Sequence, residues 1–187
     1  MKVLIVDNND SFTYNLKHYV NQFTDDIDVV RGNEVNIYTI VDYDKIILSP
    51  GPGLPSEHPI LEKILEIYHS NKSILGICLG QQAIAEFFNA ELENLDNVKH
   101  GITSEITNFN NCKLFRNLPK NFKIGHYHSW VVSKKNFPEE LNITSENEEG
   151  IVTSISHNIY DITAVQFHPE SILTEHGLKL IKNWVLD

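Results

Sequence analysis

An α/β fold, doubly wound about a mainly parallel central sheet with flanking helices and a small antiparallel β flank, is predicted by three features of the chain. Short apolar runs rich in Val, Ile and Leu recur through residues 2–77. Amphipathic segments of helical period separate them, the alternation expected of a doubly wound sheet. Beyond Glu91 the helical segments stop, and closely spaced runs with turn residues between them take over.

"KVLIVD" (2–7) opens the chain as a first strand. Its continuous apolarity suits a parallel strand covered on both faces. "DSFTYNLKHYVNQF" (10–23) follows as a helix whose stripe is Phe12, Leu16, Tyr19, Val20 and Phe23, with Asp10 or Ser11 as its cap. "DVVR" (28–31) and "KIILS" (45–49) supply the next strands. "HPILEKILEIYHS" (58–70) carries the stripe Ile60, Leu61, Ile64, Leu65 and Tyr68, with Pro59 suited to a first turn. "SILGI" (73–77) is a fourth strand, and "QQAIAEFF" (81–88) belongs to the helix after it. "GITSEI" (101–106), "FKIGHYHSWVV" (122–132), "LNITSE" (141–146) and "GIVTSIS" (150–156) read as short antiparallel strands. "DITAVQFHPES" (161–171) adds another apolar strand, and "TEHGLKLIKNWVLD" (174–187) closes as an amphipathic helix.

With 187 residues, no internal repeat and no linker-like stretch, the chain reads as one domain. A net charge of −10 with Arg31 and Arg116 as its sole arginines argues against nucleic acid or an anionic membrane as partner. Asp7 interrupts the N-terminal apolar run too early for a signal peptide, and no run approaches the roughly 20 residues of a membrane span. The two cysteines, Cys78 and Cys112, suit a reducing compartment, so a cytoplasmic location is expected.

Ligands of such sheets sit beyond the carboxyl ends of the strands. Three segments share that position: "SPGPG" (49–53), "GICLG" (76–80) and "FHPES" (167–171). Gly-x-Cys-x-Gly is the cysteine form of a nucleophile elbow, where a strand reverses into a helix and flanking glycines remove colliding side chains. The helix N-terminus then favours negative charge on the sulfur. Alone, the pattern favours a buried cysteine in a glycine-bounded turn. His168 and Glu170, two apart at a strand end, share one face by period-two alternation, giving a base and its orienting carboxylate. Pro169 stiffens the segment between them. The Gly51–Gly53 loop can present N–H groups to a developing oxyanion, or be an ordinary turn. The three signals together are far more specific than any one of them.

Together with "VDNNDSFTYNL", "HGITSEI", "YHSWVV" and "AVQFHPESILTEHG", these segments resemble, over nearly the whole length, the class I (triad) glutamine amidotransferases. The resemblance is greatest to the glutaminase subunits of anthranilate synthase and aminodeoxychorismate synthase. It implies one amidotransferase domain over 1–187, with Cys78 as nucleophile, His168 as general base and then acid, and Glu170 as orienter of His168. The N–H of Leu79 and one from the Gly51, Pro52, Gly53 loop would form the oxyanion hole. Gln82 would hold the substrate L-glutamine, and Ser129 and Trp130 would grip its amino-acid end through backbone groups.

The resemblance further implies no metal or organic cofactor on this chain. Its partner in a hetero-oligomer would be a separate, Mg2+-dependent chorismate-binding synthase subunit. "YHSWVVS" and the run from "LENL" through "VKHGI" favour the anthranilate branch; folate synthesis through aminodeoxychorismate, or service to both branches, is the alternative, and a non-catalytic subunit retaining the fold a further one. Three positions depart from the family pattern: Gln81 for a frequent His, Asn9 for an aromatic, and His126 for Arg. The last two would bear on the partner contact. His126-x-His128 alone does not complete a metal site.

Overall fold

A computed structural model of the chain describes residues 1–109 and 112–187. Its strands are β1 (Val3–Asp7), β2 (Ile27–Arg31), β3 (Lys45–Leu48), β4 (Ser73–Ile77), β5 (Leu92–Phe109), β6 (Lys123–Val132), β7 (Leu141–Asn147), β8 (Val152–His157) and β9 (Ile162–Val165). Its α-helices are α1 (Thr13–Val20), α2 (Pro59–Tyr68), α3 (Leu79–Phe87) and α4 (Gly177–Val185). The strands form one sheet in the order β2-β1-β3-β4-β9-β8-β7-β5-β6. Strands β2, β1, β3, β4 and β9 run parallel; from β9 to β6 every pairing is antiparallel. The α/β architecture is the one the alternation predicts, and the antiparallel part continues the same sheet as four of its nine strands.

Period-two alternation splits the core into two layers. Leu4, Val6, Ile46, Leu48 and Ile74 face α2 and α3, meeting Leu61, Ile64, Leu65, Ala83 and Ile84. Val3, Ile5, Ile47, Leu75 and Ile77 face α1 and α4, meeting Leu16, Val20, Leu180, Ile181 and Trp184. Burial of each such aliphatic side chain contributes about 1.5–3 kcal/mol. β2 departs from the expectation of two covered faces: as the edge strand it is only half-buried.

Two further expectations are corrected. Neither Asp10 nor Ser11 is the N-cap of α1: that position is Phe12, whose side chain has no atom to accept a hydrogen bond. Asp10 instead accepts from the Phe12 N–H at 2.8 Å, and Asp7 accepts from Thr13 Oγ1 at 2.9 Å, so the loop is braced one turn early. And β5 is not a short strand from Gly101 but an 18-residue one. Its first half, "LENLDNVKH", is mostly polar with apolar residues only at every third position, not the alternation of a strand, yet it pairs with β6 through two register shifts, one beside Gly101 at φ +68°.

The decisive feature is β9. The last strand in sequence inserts beside β4 with Ile77 opposite Val165. The residues that follow each strand therefore emerge side by side, although 88 positions separate Cys78 from Gln166.

Candidate active site

Cys78 stands between β4 and α3 at φ 52°, ψ −101°. A non-glycine residue in that region carries roughly 1–3 kcal/mol of strain, retained only where the surroundings fix it. They do so here. The Cys78 N–H donates to Val165 O at 2.8 Å, and the Cys78 carbonyl accepts the Gln82 N–H at 3.1 Å. A Cβ on Gly80 would lie 2.2 Å from Leu48 O, and one on Gly76 would lie 2.6 Å from Gly80 O. The two glycines let strand, turn and helix pass within backbone contact. The N–H groups of Leu79 and Gly80 open α3, where no helical acceptor precedes them.

His168 and Glu170 are not on the strand, which ends at Val165. The period-two argument for their meeting therefore fails; a tight turn brings them together instead. The Ser171 N–H donates to His168 O at 3.2 Å, and Thr174 Oγ1 donates to the same carbonyl at 2.6 Å. Within this turn His168 Nδ1 lies 2.7 Å from Glu170 Oε1. A carboxylate accepts, so Nδ1 carries the proton and Nε2 is the lone-pair nitrogen of the neutral ring. Burial, the largest influence, pulls the His168 pKa down. The Cys78 sulfur and the Glu170 carboxylate outweigh it, holding the imidazole well above its usual range. Tyr127 and Phe12 wall the ring, with centroids at 5.0 and 6.4 Å.

The Gly51–Gly53 loop comes against the start of α3. A Cβ on Gly51 would lie 2.8 Å from Leu79 Cδ2 and 2.7 Å from Asn8 O. Asn8 fastens the loop from the far side: its N–H donates to Ser49 Oγ and its Nδ2 to Ser49 O, both at 2.9 Å. His58 Nε2 donates to Pro52 O at 2.8 Å, and Gly53 turns at φ +76°.

Residues 4–187 match the sequence model of the glutamine amidotransferase class-I family. The chain belongs to that family. It is 42% identical over 185 residues to a Haemophilus influenzae protein assigned as anthranilate synthase component II, spanning 99% of this chain and 96% of that one. It is 36% identical to aminodeoxychorismate synthase component 2 of Klebsiella aerogenes, spanning 98% of each. A crystal structure assigned as a GMP synthase component from Thermoplasma acidophilum superimposes with a TM-score of 0.88 at 23% identity, covering 99% of this chain and 92% of that one. No helix among the described residues is long and apolar enough to cross a membrane.

In this amidotransferase the remaining candidate site residues gather on the β6 side of Cys78. Gln82 Nε2 donates to Trp130 O at 2.9 Å and to Gln166 Oε1 at 3.2 Å. Gln166 is fully buried, and its Nε2 lies 3.5 Å from Cys78 Sγ. Sequence reasoning passed over Gln166. Its one signal is that it is the lone polar residue in the apolar run "AVQF". Ser129 precedes Trp130 on β6, half-buried.

Of the departures from the family pattern, Asn9 lies exposed in the loop after β1 at φ +63°, a conformation asparagine tolerates. Gln81 is fully buried with both amide atoms unpartnered among the described residues. His126 is also fully buried and so cannot touch a partner subunit directly. Its Nε2 lies 2.6 Å from Ser104 Oγ and its Nδ1 2.9 Å from His128 Nε2. Burial, foremost, depresses His126 to about 4 and His128 to about 3.

These shifts have a sign. A histidine depressed in the folded state contributes stability that is complete above its unfolded value of about 6.5 and lost as pH falls towards the folded value. His168, raised, acts oppositely: its contribution is complete below about 6.5 and lost as pH rises through its folded value. Stability is therefore expected to peak near pH 6.5. The acid limb to pH 5 should cost on the order of 2–3 kcal/mol, or roughly 5–10 °C in melting temperature. Thermal melts against pH check this, and His126→Gln should flatten the acid limb.

Proposed function

We propose that this chain is the glutaminase subunit of a chorismate-using synthase. It hydrolyses L-glutamine to glutamate and delivers the ammonia to a separate chorismate-binding subunit that makes anthranilate. The observation that carries this reading is the meeting of a strained cysteine elbow with a carboxylate-oriented imidazole: Cys78 at φ 52°, and His168 held at 2.7 Å by Glu170. The names of the similar proteins add the substrate and the partner.

The thiolate of Cys78 attacks the carboxamide carbon, and the carbonyl oxygen takes up the negative charge. N–H groups of Leu79 and of the Gly51–Pro52–Gly53 loop stabilise that oxyanion. His168, protonated at Nε2 and held by Glu170, gives its proton to the leaving nitrogen. The C–N bond breaks, releasing ammonia and leaving a γ-glutamyl thioester. Water then loses a proton to Nε2 as it attacks the thioester, and glutamate leaves as the thiolate re-forms. Gln82 and the backbone of Ser129 and Trp130 hold the substrate. None of these steps calls on a metal or organic cofactor of this chain; the Mg2+ requirement belongs to the synthase subunit.

Burial supports the dependence on a partner. Cys78, His168 and Glu170 are only 5%, 3% and 3% exposed, so glutamine enters only when the surrounding segments move. Ile172, two residues past Glu170, is 97% exposed and offers an apolar contact through which a docking subunit could drive that movement. A free chain should thus be nearly idle as a glutaminase.

The second reading keeps the chemistry and changes the branch: ammonia feeds aminodeoxychorismate synthesis. The similarity to the Klebsiella aerogenes protein favours it as directly as a 39% identity to anthranilate synthase component 2 of Pyropia yezoensis favours the first. Mixing the purified chain with each type of synthase subunit, in glutamine and chorismate, separates them. Fluorescent anthranilate is the expected product; aminodeoxychorismate alone overturns the choice of branch, and glutamine turnover with neither subunit overturns the dependence on a partner.

A further inference from the structure

The amide chain that ends on the nucleophile has a fixed direction. Trp130 O can only accept, so Gln82 must present its amide nitrogen there, at 2.9 Å. The second hydrogen of that nitrogen faces Gln166 at 3.2 Å, so Gln166 must turn its oxygen towards Gln82. What remains for Cys78 is Gln166 Nε2, a donor, 3.5 Å from the sulfur. A backbone carbonyl of β6 thus decides, through two side chains, that the sulfur meets an N–H and not a second acceptor. His168 also acts on the sulfur from its own side, but its Nε2 makes no hydrogen bond of good geometry among the described residues, whereas the Gln166 amide does, with the sulfur. Gln166 is itself anchored, its N–H donating to Thr153 O at 2.9 Å.

We propose that Gln166 is a positioning residue of the glutaminase site: its amide N–H aims the Cys78 sulfur for attack, in a polarity imposed by Gln82 and the Trp130 carbonyl. The proposal rests on Cys78 being the nucleophile. It adds that the nucleophile is wired to the two positions flanking the glutamine site, so substrate that engages Gln82 or Trp130 also acts on the sulfur. A neutral donor suits this place. It aims the sulfur without competing for the proton that His168 must carry.

The test is site-resolved alkylation of Cys78 by iodoacetamide against pH in the full chain, with kcat and KM for glutamine measured in the complex with the synthase subunit. Gln166→Met keeps the length and removes the amide. Its alkylation near neutral pH should be about tenfold slower than in the wild type. The kcat should fall by a similar factor with KM little changed. The other titratable groups remain in place in this variant: His168, which faces the sulfur, and Glu170, Asp10, His126 and His128, which act on His168. The difference from wild type therefore isolates the amide. Gln82→Met, which frees the Gln166 amide to rotate, should slow alkylation likewise and raise KM as well. An unchanged alkylation rate in a folded Gln166→Met chain overturns the proposal, as does an unchanged rate in Gln82→Met should Gln166→Met fail to fold. Failure of the glutaminase reading would look different: Cys78→Ser would retain glutamine-dependent synthesis, whereas alkylation reports the sulfur's surroundings whether or not it is catalytic.

Discussion

Cys78→Ala, in the complex with the synthase subunit, is expected to abolish glutamine-dependent synthesis while synthesis from added ammonium salts continues at the wild-type rate. The covalent route loses its only nucleophile, and a loss of at least about 10³-fold follows from removing such a group. On the proposed function, the ammonia-dependent half-reaction is the partner's and has no use for the sulfur. Cys78→Ser is the sharper probe. It keeps a nucleophilic atom at φ 52°, but its hydroxyl is a far poorer anion than a thiolate beside His168 and Gln166. The same outcome is expected, with the melting temperature nearly unchanged because the substituted atom is small and enclosed. Loss of both activities together would mean that Cys78 matters to assembly and not to glutamine hydrolysis.

Gly177→Ala should be the most damaging single methyl that can be added near the site. Gly177 opens α4 with its Cα directly against the turn that carries His168 and Glu170. A Cβ there would lie 1.7 Å from Pro169 O and 2.8 Å from Pro169 C. Both obstructing atoms are backbone, so no side-chain rotation relieves the clash. Either α4 lifts, loosening Leu180, Ile181 and Trp184 from the core, or the Pro169 peptide shifts and takes His168 and Glu170 with it. The first outcome costs about 1–3 kcal/mol or more as overpacking. The second misplaces the imidazole by a sizeable fraction of an ångström, and such misplacements cost up to about 10²-fold in rate. A melt together with a glutaminase assay distinguishes the two. Wild-type values for both would show that the turn and helix do not meet as described. The requirement is steric and not conformational, since Gly177 is not among the residues with positive φ.

The contrast between these two positions shows what was legible in the chain. Cys78, His168 and Glu170 could be named from sequence because each lies in a short motif whose neighbours are contiguous: Gly76 and Gly80 for the elbow, Pro169 for the turn. Their local grammar is complete within five residues or so. Gln166 was hidden in the same stretch because nothing local distinguishes it. Its meaning comes from Cys78 and Gln82, 88 and 84 positions away. Gly177 was equally silent, since a glycine at the start of an amphipathic helix reads as an ordinary boundary. The His126–His128 pair was visible as a spacing, but its burial was not, because that depends on β5 lying across β6 through a segment too polar to announce itself as a strand.

The sequence by itself determined the alternation of strands and helices, the continuous apolar runs of the core, and the candidate groups for covalent chemistry. These are properties of residue type and short-range period, written wherever a side chain must meet water or apolar contact. The tertiary structure alone decided that β9 inserts beside β4 with Ile77 opposite Val165, bringing the elbow and the histidine turn together. It alone decided that His168 and Glu170 meet across a turn and not along a strand. It alone set the direction of the amide chain from Trp130 to the sulfur. The physical reason is common to all three. Strand order, backbone clearance and hydrogen-bond polarity are relations between groups far apart in the chain, and they acquire a value only when the sheet closes them into contact.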